Sequence, residues 1–363
     1  MTNPHAQIPT PLASPTPPAA SPDRALVPGP VGGVLARAYA VAINHRNRRF
    51  DAGHRVITLD RPVISVGNLS LGGTGKTPMV QRVVAHLREH GHDPAIAMRG
   101  YRSSPDGLSD EAELYKATFD NLPLVAQPRR VEGLIKLFAT QRGESVDCIV
   151  LDDGFQHRRI ARQLDLVLID AAHDPFEARV LPAGRLREPA ASLARATHVV
   201  LTHAESVDAP RAEALAARAA TAAGVASCAV TAHEWVGLTV HARTGRPEPV
   251  SFLAGKRVIA VCAIGRPGAF LDACRGAGAT IVEPIVLRDH DPFAAATISR
   301  IQQAATNAGA DAIVLTAKDW TKLGPRKIDW PVPVCVPDLA LHFREGWDAL
   351  AADLLAVVAT RPD

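Results

Sequence analysis

The sequence predicts an α/β protein: a mostly parallel sheet with helices on both faces, then a second, smaller α/β unit joined to it by a β-hairpin. Three observations carry this. An apolar strand-like run passes into a glycine loop and then into a helix start between residues 63 and 87. Short apolar runs recur at 95–98, 122–126, 148–151, 166–169 and 199–201, with room for a helix between most of them. After a change of pattern around Trp235, a second series follows at 258–262, 281–287, 313–315 and 332–336. The implied organisation is an extension over 1–30, a basic amphipathic helix over 31–53, a nucleotide-binding unit over 54–228, a hairpin linker over 229–252 and a second unit over 253–363.

The chain's 363 residues suffice for two domains. The first thirty hold nine of the 29 prolines, with Ala, Ser and Thr between them. Such a composition buries too little apolar surface to offset chain entropy, so disorder is expected there. It lacks the basic start and apolar core of a signal peptide. No uncharged apolar run reaches the roughly 18 residues of a spanning helix, so a protein facing the cytoplasm is expected. Forty Lys and Arg against 37 Asp and Glu give a net charge of +3, and no concentrated basic face points to nucleic acid. Five scattered cysteines, without a C-x-x-C pair, read as buried thiols.

Residues 34–50, "VLARAYAVAINHRNRRF", place Leu35, Ala38, Tyr39, Ala42 and Ile43 at helical spacing, with Arg37, His45, Arg46, Arg48 and Arg49 crowding toward the end. Two readings are open. The helix lies in an anionic membrane interface, or it packs on the body with its arginines favoured by the helix dipole.

"ISVGNLSLGGTGKTPMV" then reads as buried strand, glycine loop and helix start. Gly72, Gly73, Thr74 and Gly75 let backbone N–H groups converge on phosphate oxygens. Lys76 reaches the β- and γ-phosphates, the Thr77 hydroxyl is a Mg²⁺ ligand, and Pro78 sits in the first helical turn. This is a P-loop with one departure, Ser70 where the pattern has its first glycine. A nucleoside triphosphate is the implied ligand.

Ligands of such sheets bind beyond the carboxyl ends of the strands, so the residues following each run carry the chemistry. "CIVLDDGFQH" puts Asp152 and Asp153 there, and the repulsion between adjacent aspartates is relieved by a dication. "SDEAEL" delivers Asp110 and Glu111 before a helix, where they cap it, serve an acceptor hydroxyl as base, or do both. In the second half, "LRDHDPF" flanks His290 with Asp289 and Asp291, carboxylates that favour its charged form. "LPAGRLREP" offers Arg185 and Arg187 to an anionic substrate. Lys318 and Asp319 of "TAKDWTKL" follow a strand with no role assigned.

The ordered set "ISVGNLSLGGTGKTP", "RGY", "SDEAEL", "LDDGFQH", "LPAGRLREP", "AIGRP", "DHDPF" and "TAKDWTKL" resembles the tetraacyldisaccharide 4′-kinases of lipid A biosynthesis, from about Val34 to beyond Leu323. The resemblance implies that ATP with Mg²⁺ phosphorylates the 4′-hydroxyl of an acylated disaccharide 1-phosphate at the cytoplasmic face of the inner membrane. It implies a peripheral protein on an anionic membrane surface, with no obligate protein partner. Residue by residue, it makes Lys76 and Thr77 nucleotide and metal ligands, Asp152 and Asp153 the acidic pair at the metal, and Asp110 the catalytic base with Glu111 beside it. His290 would support that base from the other lobe, while Arg187, Arg130 and Gln156 would meet the substrate. Its lipid acceptor favours the membrane reading of 34–50. The chain departs from the family in Asp291, commonly a second His, in Ala317, commonly Glu, and in its proline tract.

A kinase of another acceptor and a nucleotide-driven switch stand as rival readings, because a fold does not set the acceptor. An acceptor site argues against the switch.

Overall fold

The computed structural model describes residues 26–100, 110–241, 245–265, 267–289 and 291–360. In chain order its elements begin with α1 (Gly29–Asp51), β1 (Val63–Asn68), α2 (Lys76–Glu89), β2 (Pro94–Met98), α3 (Asp110–Thr118), β3 (Leu124–Ala126), α4 (Arg130–Phe138), α5 (Gln141–Glu144), β4 (Cys148–Asp152) and β5 (Leu164–Asp170). They continue with β6 (His198–Thr202), α6 (Ala209–Ala223), β7 (Ala229–His241), β8 (Gly245–Glu248), β9 (Arg257–Cys262), α7 (Pro267–Gly276), β10 (Thr280–Val286), α8 (Ala295–Asn307), β11 (Ala312–Leu315), α9 (Ala317–Leu323), β12 (Val334–Glu345) and α10 (Trp347–Ala359).

All strands join one sheet in the order β10-β9-β11-β12-β7-β6-β5-β1-β4-β2-β3, with β8 paired to β7. β1 is central to the first half, parallel to β4 on one side and β5 on the other. Every residue of β1, β2, β4 and β5 is buried, as strands covered on both faces require. Helix α2 explains one of those faces. Met79, Val80, Val83, Val84 and Leu87 recur at helical spacing, are fully buried, and share a core with Ile64 and Val66 of β1. Each such side chain contributes about 1.5–3 kcal/mol of burial. On the opposite face, Leu215, Ala216 and Ala219 of α6 pack over Val167 and Val199. Asp208 caps α6 by accepting from Arg211 N at 2.9 Å, and Gly224 ends it at φ +71.

The expected hairpin forms, as β7 pairing antiparallel with β8. It does more than connect. β7 also runs parallel to β6 and antiparallel along β12, so both halves share one sheet. β12 outlasts the apolar run at 332–336 by nine residues, because "PDLALHFRE" pairs through its backbone and needs no apolar side chains to do so. The chain then returns to the first half. Leu350, Leu354 and Val358 of α10, which the sequence assigned to the second unit, lie in the same core as Val80 and Val83.

Helix α1 packs on the body, one of the two behaviours expected of it. Tyr39 donates to Arg187 O at 2.9 Å and Asn47 Nδ2 to Glu188 Oε2 at 2.8 Å, which ties the helix to the body. Val31, Val34 and Val41 nevertheless stay 64%, 65% and 69% exposed. No helix among the described residues is long and apolar enough to cross a membrane. All five cysteines are buried and unpaired. Residues 1–25 of the proline tract lie outside the described residues.

Candidate active site

The glycine loop leaves β1 at Asn68, whose side chain bridges it. Asn68 Nδ2 donates to Ser70 O at 2.8 Å, and Asn68 Oδ1 accepts from Lys76 Nζ at 3.3 Å. Ser70 needs no glycine backbone, because here the chain runs in a short ladder with the 185–187 segment. Leu71 N donates to Arg185 O at 2.8 Å and Arg187 N to Leu69 O at 2.7 Å. The left-handed conformations come later, at Gly72 (φ +115) and Gly75 (φ +79). A Cβ on Gly72 would collide with the Arg185 guanidinium, which donates to Leu71 O at 3.0 Å. A Cβ on Gly75 would come within 3.1 Å of His233, whose ring stacks on His203 at 4.4 Å. Thr202 Oγ1 holds Thr74 O at 3.0 Å from below. Gly73 has nothing within 4 Å on its open side, and Lys76, Thr77 and Pro78 form the first turn of α2.

The two aspartates part company. Asp152 ends β4, is buried, and accepts from the Tyr115 hydroxyl of α3 at 3.1 Å. That hydroxyl also neighbours Thr77. Burial, then the Glu111 charge, push the Asp152 carboxyl up to about 6, against the opposing pull of Lys76. Asp153 turns away with φ +51 and meets Arg187 Nη1 through both carboxylate oxygens, each at 2.8 Å, with Lys76 Nζ 3.7 Å from Oδ1. Burial opposes its charge, but Lys76 and Arg187 outweigh burial and hold it below the usual carboxylate range.

Gln156 completes this side. Its Oε1 accepts from Arg187 Nη1 at 3.3 Å and its Nε2 donates to Asn68 O at 2.8 Å. Arg130, almost fully buried, donates to Asp153 O at 3.3 Å. The turn fits because a glycine stands on each side of the contact, Gly154 in the turn and Gly67 in β1. A Cβ on Gly67 would lie 2.5 Å from Phe155 Cβ, and one on Gly154 would lie 2.4 Å from Ser65 Oγ, so β1 and the turn meet at both glycines.

Lys76, Asp153, Arg187, Gln156 and Arg130 thus come together from four segments of the chain, with Thr77, Asp152 and Glu111 behind them. The donor set suits Mg²⁺: an aspartate raised by burial and then by the Glu111 charge, linked through the Tyr115 hydroxyl to a threonine at a helix start. No group of three His, Cys, Asp or Glu converges among the described residues. Mg²⁺ bound through one or two carboxylates and phosphate oxygens requires none. The Asp110 side chain and His290 lie outside the described residues, although Asp110 opens α3 and α3 packs against α9 of the second half.

In that half, Asp319 is buried and, with Lys318 and Lys322, draws three loops together. It accepts from Ala263 N at 3.0 Å and from Thr316 Oγ1 at 2.7 Å, while Lys318 Nζ reaches Asp289 at 3.1 Å and Lys322 Nζ reaches Asp291 O at 3.1 Å. Asp291 turns its carboxylate onto Phe293 N at 2.8 Å.

Tyr115, Thr202, His203 and His233 were not singled out from the sequence. Tyr115 was detectable, lying one helical turn beyond Glu111 on the helix that Asp110 opens. Thr202 and His203 follow an apolar run, as Asp152 and Asp153 do. His233 carries no such signal.

The family model for LpxK, tetraacyldisaccharide-1-P 4′-kinase, matches residues 32–358. A tetraacyldisaccharide 4′-kinase of Geobacter metallireducens is 36% identical over 308 residues, 80% of this chain and 88% of its own. Another, from Chlorobium luteolum, is 32% identical over 345 residues, 89% and 96% of the two chains. Crystallised LpxK of Aquifex aeolicus, in complex with ATP, superposes with a TM-score of 0.67 at 26% identity, covering 89% of this chain and 97% of that one. With its motifs, its fold and its phosphate cradle in agreement, the chain belongs to the tetraacyldisaccharide 4′-kinase family.

Proposed function

We propose that the chain transfers the γ-phosphoryl group of ATP to the 4′-hydroxyl of tetraacyldisaccharide 1-phosphate, the lipid A precursor. The observation that carries this is the meeting of Lys76, which directly follows the glycine loop, and Arg187 on Asp153, one residue from a buried Asp152. Two cations on a common carboxylate leave one to face the nucleotide and one to face the acceptor.

The loop's N–H groups and Lys76 bind the β- and γ-phosphates and orient them in line with the acceptor. Thr77, Asp152 and Glu111 would hold Mg²⁺, with Asp153 supporting the pair. When bound, the metal ion supplies charge neutralisation at the phosphate oxygens. Asp110 takes the proton of the 4′-hydroxyl, and His290 supports it from the second half. Arg187, Gln156 and Arg130 position the acceptor. The unit over 54–228 serves as the nucleotide lobe and strands β9 to β11 with their helices as its partner, with the β7–β12 ribbon between them. Closure would complete the Asp110–His290 pair and exclude water.

The exposed valines of α1 and its basic C-terminal turns support a peripheral position at the cytoplasmic face of the inner membrane, where such an acceptor is presented. The test is transfer of labelled γ-phosphate from ATP, with Mg²⁺ and detergent, to tetraacyldisaccharide 1-phosphate. Lys76→Ala is the blank. Equal product from the variant, or none from the intact chain, would overturn the reading.

A further inference from the structure

The motif "TAKDWTKL" carries no role from the sequence, and the structure gives it neighbours. It builds α9 at the carboxyl end of β11, a strand that runs parallel to β9. Thr316 caps the helix by accepting from Asp319 N at 3.2 Å. The buried Asp319 carboxylate in turn accepts from Thr316 Oγ1 and from Ala263 N, so the start of α9 is pinned to the end of β9. From that anchored start, three cations reach one turn. Lys318 Nζ lies 3.1 Å from Asp289 Oδ1, Lys322 Nζ donates to Asp291 O at 3.1 Å, and Arg326 donates to Pro292 O at 3.0 Å and to Phe293 O at 2.6 Å. Lys318 and Lys322 stand four residues apart on one side of α9, and Arg326 continues the row past its end.

The turn they hold is sharply bent. Phe293 is fully buried and left-handed at φ +53, a conformation that is unfavourable for a bulky residue and persists where contacts over-determine it. Burying Phe293 would not by itself need these cations. Apolar packing is non-directional, whereas hydrogen bonds to main-chain carbonyls set the course of a backbone. The surroundings of α9 show what that course serves. α9 packs on α3, the helix that Asp110 opens, and Trp320 stacks on His241 of β7 at 4.2 Å, which fixes α9 to the ribbon between the halves. One short helix therefore touches the helix of the proposed base, the ribbon, and the turn whose sequence includes His290.

We propose that Lys322 and Arg326 are positioning residues for phosphoryl transfer: by holding the 289–293 turn to α9, they set how that turn is presented to α3. They act through the turn and are ligands of neither nucleotide nor acceptor. The role in transfer rests on the kinase reading; the grip on the turn does not.

The experiment is a mutant cycle in the full chain, with ATP, Mg²⁺ and tetraacyldisaccharide 1-phosphate. Lys322→Met/Arg326→Met should lower kcat by about tenfold to a hundredfold, the scale of a small misplacement, with the KM for ATP unchanged. Arg326→Lys beside an intact Lys322 should retain most of the activity. In a His290→Ala chain, read by single turnover of labelled ATP, the same two substitutions should change the rate by less than about twofold, because the turn they place no longer carries its imidazole. A purely structural role would repeat its full loss there. That repeated loss, or no loss in either background, overturns the proposal. Amide hydrogen exchange reads the grip without turnover: it should quicken over 289–293 in the variant and stay as it was over 63–87. Arg326 is exposed, so Arg326→Met alone carries the same test on a smaller scale if the pair does not fold. Quickened exchange in the variant of a chain that transfers no phosphate would sink the kinase reading and leave the grip standing, and unchanged exchange would overturn the grip itself.

Discussion

Tyr115 donates its hydroxyl to Asp152 Oδ2 across 3.1 Å, joining the helix that Asp110 opens to the strand that ends in the acidic pair. Both groups are buried, so neither finds water if the bond is lost. The bond ties α3 to the end of β4, and it lowers the Asp152 pKa against the stronger upward push of burial.

Tyr115→Phe removes that bond without changing the packing. Stability should fall by about 1–3 kcal/mol, the cost of an unsatisfied buried acceptor. The acidic limb of the pH profile of kcat/KM should move to higher pH, because Asp152 loses a donor to its charged form. An unmoved limb would show that Asp152 ionisation does not limit turnover.

Asp152→Asn separates function from stability. The folded-state pKa of about 6 lies above the unfolded value, so the native state binds the extra proton and loses stability as pH rises from about 4 to 6. The variant, which carries no charge, should match the intact chain near pH 4 and exceed it above pH 6, by up to about 3 kcal/mol. Its phosphoryl transfer should collapse. Thermal melts at pH 4 and 7, beside the kinase assay, read both effects.

The glycines divide by geometry. Gly67→Ala drives a methyl to 2.5 Å from Phe155 Cβ and should cost about 1–3 kcal/mol. Gly73→Ala meets open space and needs no left-handed backbone, so its melting temperature should be unchanged. Comparable losses in both variants would contradict the close approach of β1 and the 153–156 turn.

Arg187→Lys keeps the charge but loses the guanidinium that spans both oxygens of Asp153 and Gln156 Oε1. Acceptor KM should rise by about tenfold with ATP KM little changed. A rise in ATP KM alone would move Arg187 to the nucleotide side.

Val34→Asp/Val41→Asp alters two side chains 65% and 69% exposed, so folding should be untouched. Binding to anionic vesicles should drop, measured by co-sedimentation. Unchanged binding would leave α1 as a helix packed on the body.

What the sequence determined by itself is what local pattern encodes. The strand, glycine loop and helix start at 63–87 follow from spacing alone, as do the buried strands and the acids after β4, because each is written within a dozen contiguous residues. What only the tertiary structure decided are contacts across long separations. Arg185 rests on the glycine loop from 114 residues away, and Tyr115 reaches Asp152 from 37. His233 stacks on His203 beneath Gly75, and α10 closes the core of the first half after the chain has left it. The β7–β12 ribbon escaped the apolar pattern for a related reason, since backbone pairing holds it while many of its side chains stay half-exposed. Strand order brings these residues together, and strand order is set by how a dozen strands pack at once, which no window of sequence contains.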